Sequence, residues 1–468
     1  MSQLNIKILD ETLNVTQELL DRYNVPGPRY TSYPTAPEWS EAFGASDFER
    51  ALKQSNEETP VRPLSIYMHI PFCDRLCLFC GCNVVINQNH AVAVPYLKNL
   101  EWEIKEVAQK LDKSRPVVQF HWGGGTPTYL TAAQLEHLFL YTKEFFVFAP
   151  DAEIGVEIDP RVTREDQLVT LRRLGFNRIS MGIQDFNPDV QKIVRRIQPY
   201  QQTKAVFETC RSLGFESINI DLIYGLPLQT PESFLDSVER VIEMGADRVA
   251  MFSYAHVPWL KKQQRAIARY IPQGMAKFQI FRAGIERFTR AGYVYIGMDH
   301  FARPDDELCL AQRNRTLHRN FQGYTTKAGA DLLGIGVSSI SSVGRIYAQN
   351  HRTIEQYAAA VKNQVIPTMR GLRLEQDDLI RRAVISKLLC HCVLDKSEVE
   401  SEFGIRFEDY FAEEINRMQL LEKDGLVILT PERILVTQLG RIFLRNVGMV
   451  FDKYLRKPSD KPVFSRTL

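Results

Sequence analysis

The sequence predicts an α/β protein built on an open barrel of six parallel strands, each followed by a helix. Two observations lead to this fold class. Between residue 64 and about residue 300, short apolar segments of strand length alternate with longer amphipathic segments. Glycines or polar residues also follow each apolar segment, at the strand ends where active sites of parallel α/β folds gather. A flat, doubly wound sheet is the alternative arrangement of the same units.

Six strands are predicted, each short and apolar enough to be buried. They cover residues 64–70, 117–122, 152–158, 178–183, 217–224 and 248–254. The clearest helices between them cover residues 96–111, 132–146, 231–244 and 275–291. The barrel is favoured because the cysteine loop follows the first strand and glycines or polar residues follow the other five, and in a barrel all of these would converge on one rim.

Four of the eight cysteines, Cys73, Cys77, Cys80 and Cys82, lie in the loop after the first predicted strand. Disulfides are disfavoured, because a chain of 468 residues has ample core without them and no secretory signal is seen. A zinc site normally needs a second cysteine pair or histidine partners. The CxxxCxxC spacing favours an iron–sulfur cubane held by three thiolates, which leaves one iron open.

The bulk properties are those of an ordinary globular protein. Hydrophobic residues make up 44% and charged residues 24%, and the net charge is +2. So balanced a charge predicts no nucleic acid partner, and no apolar run reaches the ~18 residues of a membrane span. We therefore expect a cytoplasmic protein without a membrane partner, in a reducing compartment that suits an oxygen-sensitive cluster.

Four regions are predicted along the chain. Residues 1–60 form an arm or lid that begins with a polar helix, and 61–300 form the barrel. Residues 301–365 form an extension that returns to the barrel mouth. Residues 366–468 form a mostly helical domain of winged-helix type, to which balanced charges give a structural or lid role. The prolines of the arm forbid regular structure, yet Tyr30, Tyr33 and Trp39 predict that it packs against something.

The CxxxCxxC loop resembles that of the radical S-adenosylmethionine (SAM) superfamily. This resemblance implies that SAM chelates the open iron of a [4Fe–4S] cluster. An electron from the cluster then cleaves SAM to methionine and a 5'-deoxyadenosyl radical.

Blocks along nearly the whole chain resemble the oxygen-independent coproporphyrinogen III oxidases, or coproporphyrinogen dehydrogenases, of heme biosynthesis. They are PGPRYTSYPTA, YMHIPFC with CLFCGCN, HWGGGTPTYL, NRISMGIQDFN, NIDLIYGLPLQTPESF, GMDHFARPDDEL, LHRNFQGYTT and LLGIGVSSIS. The resemblance implies oxidative decarboxylation of two propionates of coproporphyrinogen III to vinyl groups, giving protoporphyrinogen IX with two SAM consumed. An electron donor such as flavodoxin or ferredoxin is expected as partner, and the chain is expected to be a monomer.

Carried over position by position, the resemblance implies that the cluster is held by Cys73, Cys77 and Cys80. The positions that match contacts to a first SAM are Tyr67, Phe79, Gly124, Glu157 and Ile340. The positions that match contacts to a second SAM are Gly125, Thr126, Gln184, Arg196, Asp221 and Ala255. Two departures are visible: Arg195 stands where the family usually has Asn, and Gly448 to Val450 stand where it often has a Cys-Met-Cys run.

Tyr67 and Cys82 are the candidate catalytic residues. Tyr67 lies on the strand that feeds the cysteine loop, beside the predicted cluster. In an extended chain, Cys82 would lie roughly 6.5 Å beyond Cys80 on the same side. That distance is too long for a fourth ligand, so we predict a role in the reaction chamber. Candidates for the substrate carboxylates are Arg29, Arg303, Arg313 and His318, by block membership alone.

A competing hypothesis is a heme chaperone, because a related radical SAM group carries heme. That group ends its cluster loop in CxxCxF and lacks the proline-rich arm, whereas this chain has Gly81-Cys82 and the arm. The enzyme is therefore the favoured interpretation.

Overall fold

The computed structural model describes residues 3–8, 11–456 and 463–468. Its centre is a twelve-stranded sheet. Six of these strands are parallel and lie side by side in chain order: β1 (Leu64–Ile70), β2 (Val117–Gly124), β3 (Phe148–Ile158), β4 (Arg178–Gln184), β5 (Ser217–Tyr224) and β6 (Arg248–Ser253). A doubly wound sheet would reverse its strand order part-way, so the sequential order confirms the barrel arrangement.

The predicted strands agree closely with the observed ones. The bounds of β1 and β5 coincide with the prediction, and β3 begins earlier, at Phe148. In β3, buried Ile154, Val156 and Ile158 alternate with Glu153 and Glu157, which line the barrel interior. This period of two places apolar side chains under the outer helices and polar ones inside.

Three of the four predicted outer helices agree with the observed bounds to within one residue, and the first begins and ends three residues earlier than predicted. The outer helices between and after the barrel strands are Ala93–Ala108, Ala132–Phe145, Glu165–Leu174, Pro188–Ile193, Tyr200–Ser212, Pro231–Met244 and Gly274–Arg290. In the helix after β5, the Thr230 hydroxyl accepts a hydrogen bond from the Ser233 N–H at 3.2 Å, and Pro231 takes the first position. The helix ends at Gly245, whose φ is +72°.

The sheet continues beyond both edges of the barrel. Beside β1 lie Asp331–Ile335, which is parallel to it, and then the antiparallel strands Ile340–Val343, Ile346–Asn350 and Thr368–Arg373. Beside β6 lie the antiparallel strands His300–Ala302 and Val294–Gly297. Within residues 301–365, which were expected to return to the barrel mouth, the strands from Asp331–Ile335 onward therefore extend the sheet beyond β1. The division at 366 stays a prediction, although Thr368–Arg373 still belongs to this sheet.

Shorter elements join these strands. They are the helices Glu307–Arg313 and Ile354–Lys362, the hairpin of His318–Asn320 and Gly323–Thr325, and the strand pair Phe72–Cys73 and Val85–Ile86.

The N-terminal region differs from its prediction in secondary structure. Instead of starting with a helix, it has a hairpin of Gln3–Ile8 and Glu11–Thr16, followed by the helix Gln17–Tyr23. Alternation in the second strand, where Leu13 and Val15 are buried, explains why a strand forms. A further helix, Ala45–Ser55, was not predicted.

The arm between these helices is packed, as predicted. Tyr30, Tyr33 and Trp39 are all buried. The Trp39 ring stacks on Tyr347 with centroids 5.3 Å apart, and the Tyr30 hydroxyl donates to Asp452 Oδ2 at 2.9 Å. The arm thus contacts both the extended sheet and the C-terminal region.

The C-terminal region is mostly helical with a small antiparallel sheet. Its helices are Gln376–His391, Lys396–Phe403, Phe407–Tyr410, Ala412–Lys423, Gln438–Ile442 and Leu444–Met449. Its strands are Val393–Asp395, Val427–Leu429 and Arg433–Val436. Within the described residues, we find no helix that is both long enough and apolar enough to cross a bilayer.

Candidate active site

The cysteine loop is held rigidly at the C-terminal end of β1. Cys73 lies in the short strand Phe72–Cys73, which pairs in parallel with Val85–Ile86. The Cys73 carbonyl accepts from the Asn87 N–H at 3.0 Å, and the Cys80 N–H donates to the Cys77 carbonyl at 3.1 Å. These backbone bonds fold the loop back on itself and turn its thiols toward the barrel.

All four thiols of the loop line one cavity of about 160 Å³, together with Phe79, Gly124, Gly125, Thr126, Glu157, Gln184, Arg196 and Asp221. All eight cysteines of the chain are free thiols. In the described part of the chain, no three Cys, His, Asp or Glu side chains converge on a point, as a single metal ion requires. Soft thiol donors spread around a cavity fit a cluster, whose irons are bound separately, better than one zinc ion.

A buried ionic network faces Cys77. Arg161 Nη2 lies 3.5 Å and Arg196 Nη1 3.7 Å from the Cys77 sulfur. Both guanidiniums also contact Asp159 Oδ2, at 2.6 and 3.1 Å. Burial alone would raise the pKa of Asp159, but the two arginines outweigh it and lower the pKa to about 2. The network therefore places positive charge beside the Cys77 sulfur.

The family resemblance assigned Arg196 to a SAM site, but Arg161 was not predicted. No short motif marks it, although it lies only two residues after Asp159.

The thiols of Cys80 and Cys82 affect each other's titration. Their interaction lowers the pKa of Cys80 and raises that of Cys82. That Cys82 is not a fourth ligand stays a prediction. The loop is held here from outside: Lys261 Nζ donates to the Cys82 carbonyl at 2.5 Å, and Gln263 Nε2 to the Cys80 carbonyl at 3.0 Å.

Gly124, the last residue of β2, and Gly125 let neighbouring parts of the chain pack closely against them. Gly124 has a φ of +120°, and a Cβ there would lie 2.8 Å from the His69 ring. A Cβ on Gly125 would lie 2.6 Å from the Pro71 carbonyl oxygen, in the cysteine loop itself. The two glycines therefore allow close packing against His69 and the cysteine loop, and both line the thiol cavity.

Glu157 accepts a hydrogen bond from the Gly124 N–H, with Oε2 3.1 Å from the nitrogen. His121 Nε2 lies 3.6 Å from its other oxygen. Burial raises the pKa of Glu157, but His121 and the Gly124 N–H outweigh this and lower it. Glu157 is thus an anionic acceptor at the rim of the thiol cavity. His121 was not predicted; its place two residues before Gly123, on the inward face of β2, is the signal that could have found it.

A second cavity of about 480 Å³ occupies the barrel interior and is called the chamber below. It shares Phe79, Cys80, Cys82, Glu157, Gln184 and Asp221 with the thiol cavity. Its other lining includes Arg29 from the arm, Ala255 after β6, and His300, Gln322 and Tyr324 beyond the barrel. Polar groups thus surround a space that is continuous with the cysteine loop.

Known proteins resemble this chain over nearly all of its length. The oxygen-independent coproporphyrinogen III oxidase of Escherichia coli K12 is 49% identical over 451 residues, covering 96% of this chain and 98% of that protein. The one from Synechocystis is 46% identical over 462 residues, 98% and 99% of the two chains. The chain belongs to the oxygen-independent coproporphyrinogen III oxidase family.

Structural comparison agrees. The solved structure of E. coli coproporphyrinogen III oxidase (HemN), described as a radical SAM enzyme, matches with a TM-score of 0.88 and 49% identity, covering 91% of this chain and 97% of that one. Family models for the radical SAM superfamily and the HemN C-terminal domain match residues 67–241 and 374–443. Membership of the coproporphyrinogen III oxidase family implies a [4Fe–4S] cluster and SAM as cofactors.

Most residues that match the family's SAM contacts lie together in the structure. Gln184 has a φ of +75° and lines both cavities. Burial and the nearby Glu157 raise the pKa of Asp221 to about 7. Gln264 Nε2 donates to the carbonyls of Phe79 and Ala255, at 2.9 and 3.2 Å, and so fixes the two residues relative to each other.

Two predicted residues lie apart from the rest. Among the described residues, Tyr67 and Ile340 are outside the linings of both cavities. The Tyr67 hydroxyl is 3.1 Å from His69 Nδ1, and its ring stacks on His121. Ile340 begins a strand of the extended sheet. Tyr67 is thus placed behind Glu157 and His121, as a support for them.

Proposed function

We propose that this protein converts coproporphyrinogen III to protoporphyrinogen IX without oxygen, by oxidative decarboxylation of two propionates to vinyl groups. The observation that carries the proposal is that the CxxxCxxC thiols and most of the matched SAM positions border one cavity, which shares a wall with the chamber. The chamber volume of about 480 Å³ lies in the range of small-molecule sites, ~300–1,000 Å³.

In this proposal, Cys73, Cys77 and Cys80 hold the cluster, and Arg161 and Arg196 offset the negative charge of its ligands. When bound, the cluster and SAM would supply a 5'-deoxyadenosyl radical to take one hydrogen atom from a propionate, after which loss of CO2 and of one electron to an external one-electron acceptor would leave the vinyl group. Glu157, held by Gly124 and His121, accepts hydrogen bonds from the first SAM. The arm carries Arg29 to the chamber wall and helps to exclude water.

Two finer points belong to the same proposal. A second SAM binds beside Gly125, Thr126, Gln184, Arg196, Asp221 and Ala255. A one-electron donor such as flavodoxin or ferredoxin supplies the electron, and the protein acts as a monomer in the cytoplasm.

Anaerobic turnover of coproporphyrinogen III tests the proposal. The expected result is protoporphyrinogen IX with two 5'-deoxyadenosines formed per product. SAM cleavage at a ratio of one would contradict the second SAM. Tight heme binding without any turnover would instead support the chaperone hypothesis.

A further inference from the structure

Buried hydrogen-bond donors without a partner lie in and beside one wall of the chamber. They are His300 Nδ1, Gln322 Nε2, and Arg319 Nε and Nη1, which lack a hydrogen-bond partner in the described structure. His300 and Gln322 line the chamber. Buried polar groups of folded proteins are nearly always paired, so several orphan donors in one place point to a ligand.

These donors belong to one continuous array of rings and guanidiniums. The Arg319 Cζ lies 4.8 Å from the centroid of the Tyr324 ring, which is 5.2 Å from that of His300. His300 in turn lies 5.8 Å from Phe252, over which Arg29 is placed at 5.7 Å. Through Tyr324, which lines the chamber, the array places Arg319 beside the chamber wall. Arg319 and Arg29 are far apart in sequence but belong to the same array.

The two arginines of the array differ in their charge balance. Arg29 Nη1 pairs with Asp299 Oδ2 at 2.8 Å. Among the described residues, no carboxylate lies within ion-pair distance of Arg319. A half-buried guanidinium without a counter-ion is costly, and a bound anion would remove that cost.

We propose that Arg319, His300 and Gln322 form a binding site for a carboxylate of the substrate, of the propionate class. The inference rests on the proposed function and names the part of the chamber that takes the substrate's side chains. Burial, and then the charge of Arg319, lower the pKa of His300 to about 3, so its ring is neutral and donates from a single nitrogen. A neutral histidine, an amide and one guanidinium together carry one positive charge, which matches the one negative charge of a carboxylate.

The structure also separates the candidates that share the family blocks. Arg29 lines the chamber, whereas Arg303, Arg313 and His318 are exposed on the outside. Arg303 lies 3.9 Å from exposed Asp305. Arg303 therefore offers a matched control for Arg319.

Anaerobic binding of two porphyrins to the cluster-loaded enzyme tests the site. Coproporphyrin III carries the same carboxylates as the substrate but is stable, and its tetramethyl ester carries none. For Arg319→Gln, fluorescence quenching should show coproporphyrin III bound about 10- to 100-fold more weakly, as for loss of a hydrogen bond to a charged group. Binding of the ester and of SAM should be unchanged, and Arg303→Gln should bind both porphyrins like the wild type.

A second variant keeps the test decisive if Arg319→Gln does not fold. Gln322→Glu places a negative charge in the site and should weaken coproporphyrin III binding while sparing the ester. The inference would be overturned if the affinity for both porphyrins fell equally, if neither affinity changed, or if only the affinity for SAM fell. A wild-type enzyme that cleaves SAM yet neither binds nor converts the tetrapyrrole would remove the proposed function, and this site with it.

Discussion

Arg195 occupies a backbone conformation that suits asparagine better than arginine. Its φ is +57°, in the left-handed region, and its side chain is exposed. Asparagine is the residue that the family usually has here, and it tolerates this region better than most non-glycine residues. The departure from the family pattern thus lies on the outside of the loop, while neighbouring Arg196 is buried against Cys77.

We expect Arg195→Asn to stabilise the protein by roughly 0.5–1 kcal/mol, because it relieves left-handed strain. Anaerobic urea denaturation of the loaded enzyme measures this. Arg195→Gln is the matched control, since it removes the same charge but keeps a side chain without the asparagine preference. Equal stabilisation by both variants would assign the effect to charge instead.

Each of Cys73, Cys77 and Cys80 is expected to be required for the cluster, because three thiolates hold a cubane while leaving one iron open. The variants Cys73→Ser, Cys77→Ser and Cys80→Ser should each lose the broad absorbance of the reconstituted cluster and its iron content. Cys210→Ser is the control, because Cys210 is buried in a helix of the outer layer. A ligand variant that reconstitutes normally and cleaves SAM would contradict the assignment.

Cys82→Ser should keep the cluster and bind SAM, yet lose most conversion of coproporphyrinogen III. The reason is that Cys82 borders both cavities, while the CxxxCxxC spacing assigns the ligand positions to the other three thiols of the loop. Iron content, SAM cleavage and product formation are measured on the same sample. Loss of the cluster would make Cys82 structural, and full activity would deny it any role.

At the residue scale, spacing predicted that the thiols of the loop lie together, but it did not predict which residues surround them. The CxxxCxxC pattern marks Cys73, Cys77 and Cys80 because the loop is short. The position of Cys82 depends on Lys261 and Gln263, which hold the loop from about 180 residues away. No local pattern around Cys82 contains that information.

The helix Ala93–Ala108 is joined to the extended sheet by one buried carboxylate. Glu103 accepts from the Gly336 N–H at 2.8 Å, Asn350 Nδ2 at 2.6 Å and the Tyr357 hydroxyl at 2.5 Å. Burial outweighs these three donors and raises the pKa of Glu103 to about 7. The folded state therefore keeps a proton there that the unfolded chain loses near pH 4.5.

Glu103 should accordingly make the free energy of unfolding fall as the pH rises from about 4.5 to about 7, by up to about 3 kcal/mol. In Glu103→Gln this part of the pH dependence should disappear, while an amide keeps most of the hydrogen bonds. Urea denaturation at pH 5 and pH 7 measures the difference. Glu106→Gln, on the same helix but partly exposed, should leave the slope unchanged, and an unchanged slope in Glu103→Gln would refute the prediction.

At the element scale, the hydrophobic pattern predicted strand bounds well where both faces of the strand are buried. The strands 64–70 and 217–224 were predicted with their observed bounds because their apolar residues and flanking turns agree. The hairpin of Gln3–Ile8 and Glu11–Thr16 was missed although the alternation of Leu4, Ile6 and Ile8 with polar residues is typical of a strand, so the predicted polar helix was wrong there. The parallel pairing of Asp331–Ile335 with β1 was missed because it joins segments more than 260 residues apart.

Across the whole molecule, the arm is fastened by segments near the other end of the chain. The Gly27 N–H donates to the Ser465 carbonyl at 3.1 Å, and the Thr467 N–H to the Val25 carbonyl at 2.9 Å. Arg445 Nε donates to the Pro28 carbonyl at 3.0 Å. The aromatic residues of the arm predicted that it packs against the rest of the protein. They did not predict its partners, because those lie over 400 residues away and no local sequence pattern marks them.

This fastening sets an order of events during synthesis. The barrel with its cysteine loop is complete once residues up to about 350 have emerged, whereas Arg445 and Ser465 emerge later. Long-range contacts of this kind form late, since the ribosome delivers the partners at different times. We therefore expect the arm to seat over the chamber only near the end of translation, which leaves the nascent barrel open for iron–sulfur carriers while the remaining chain is made.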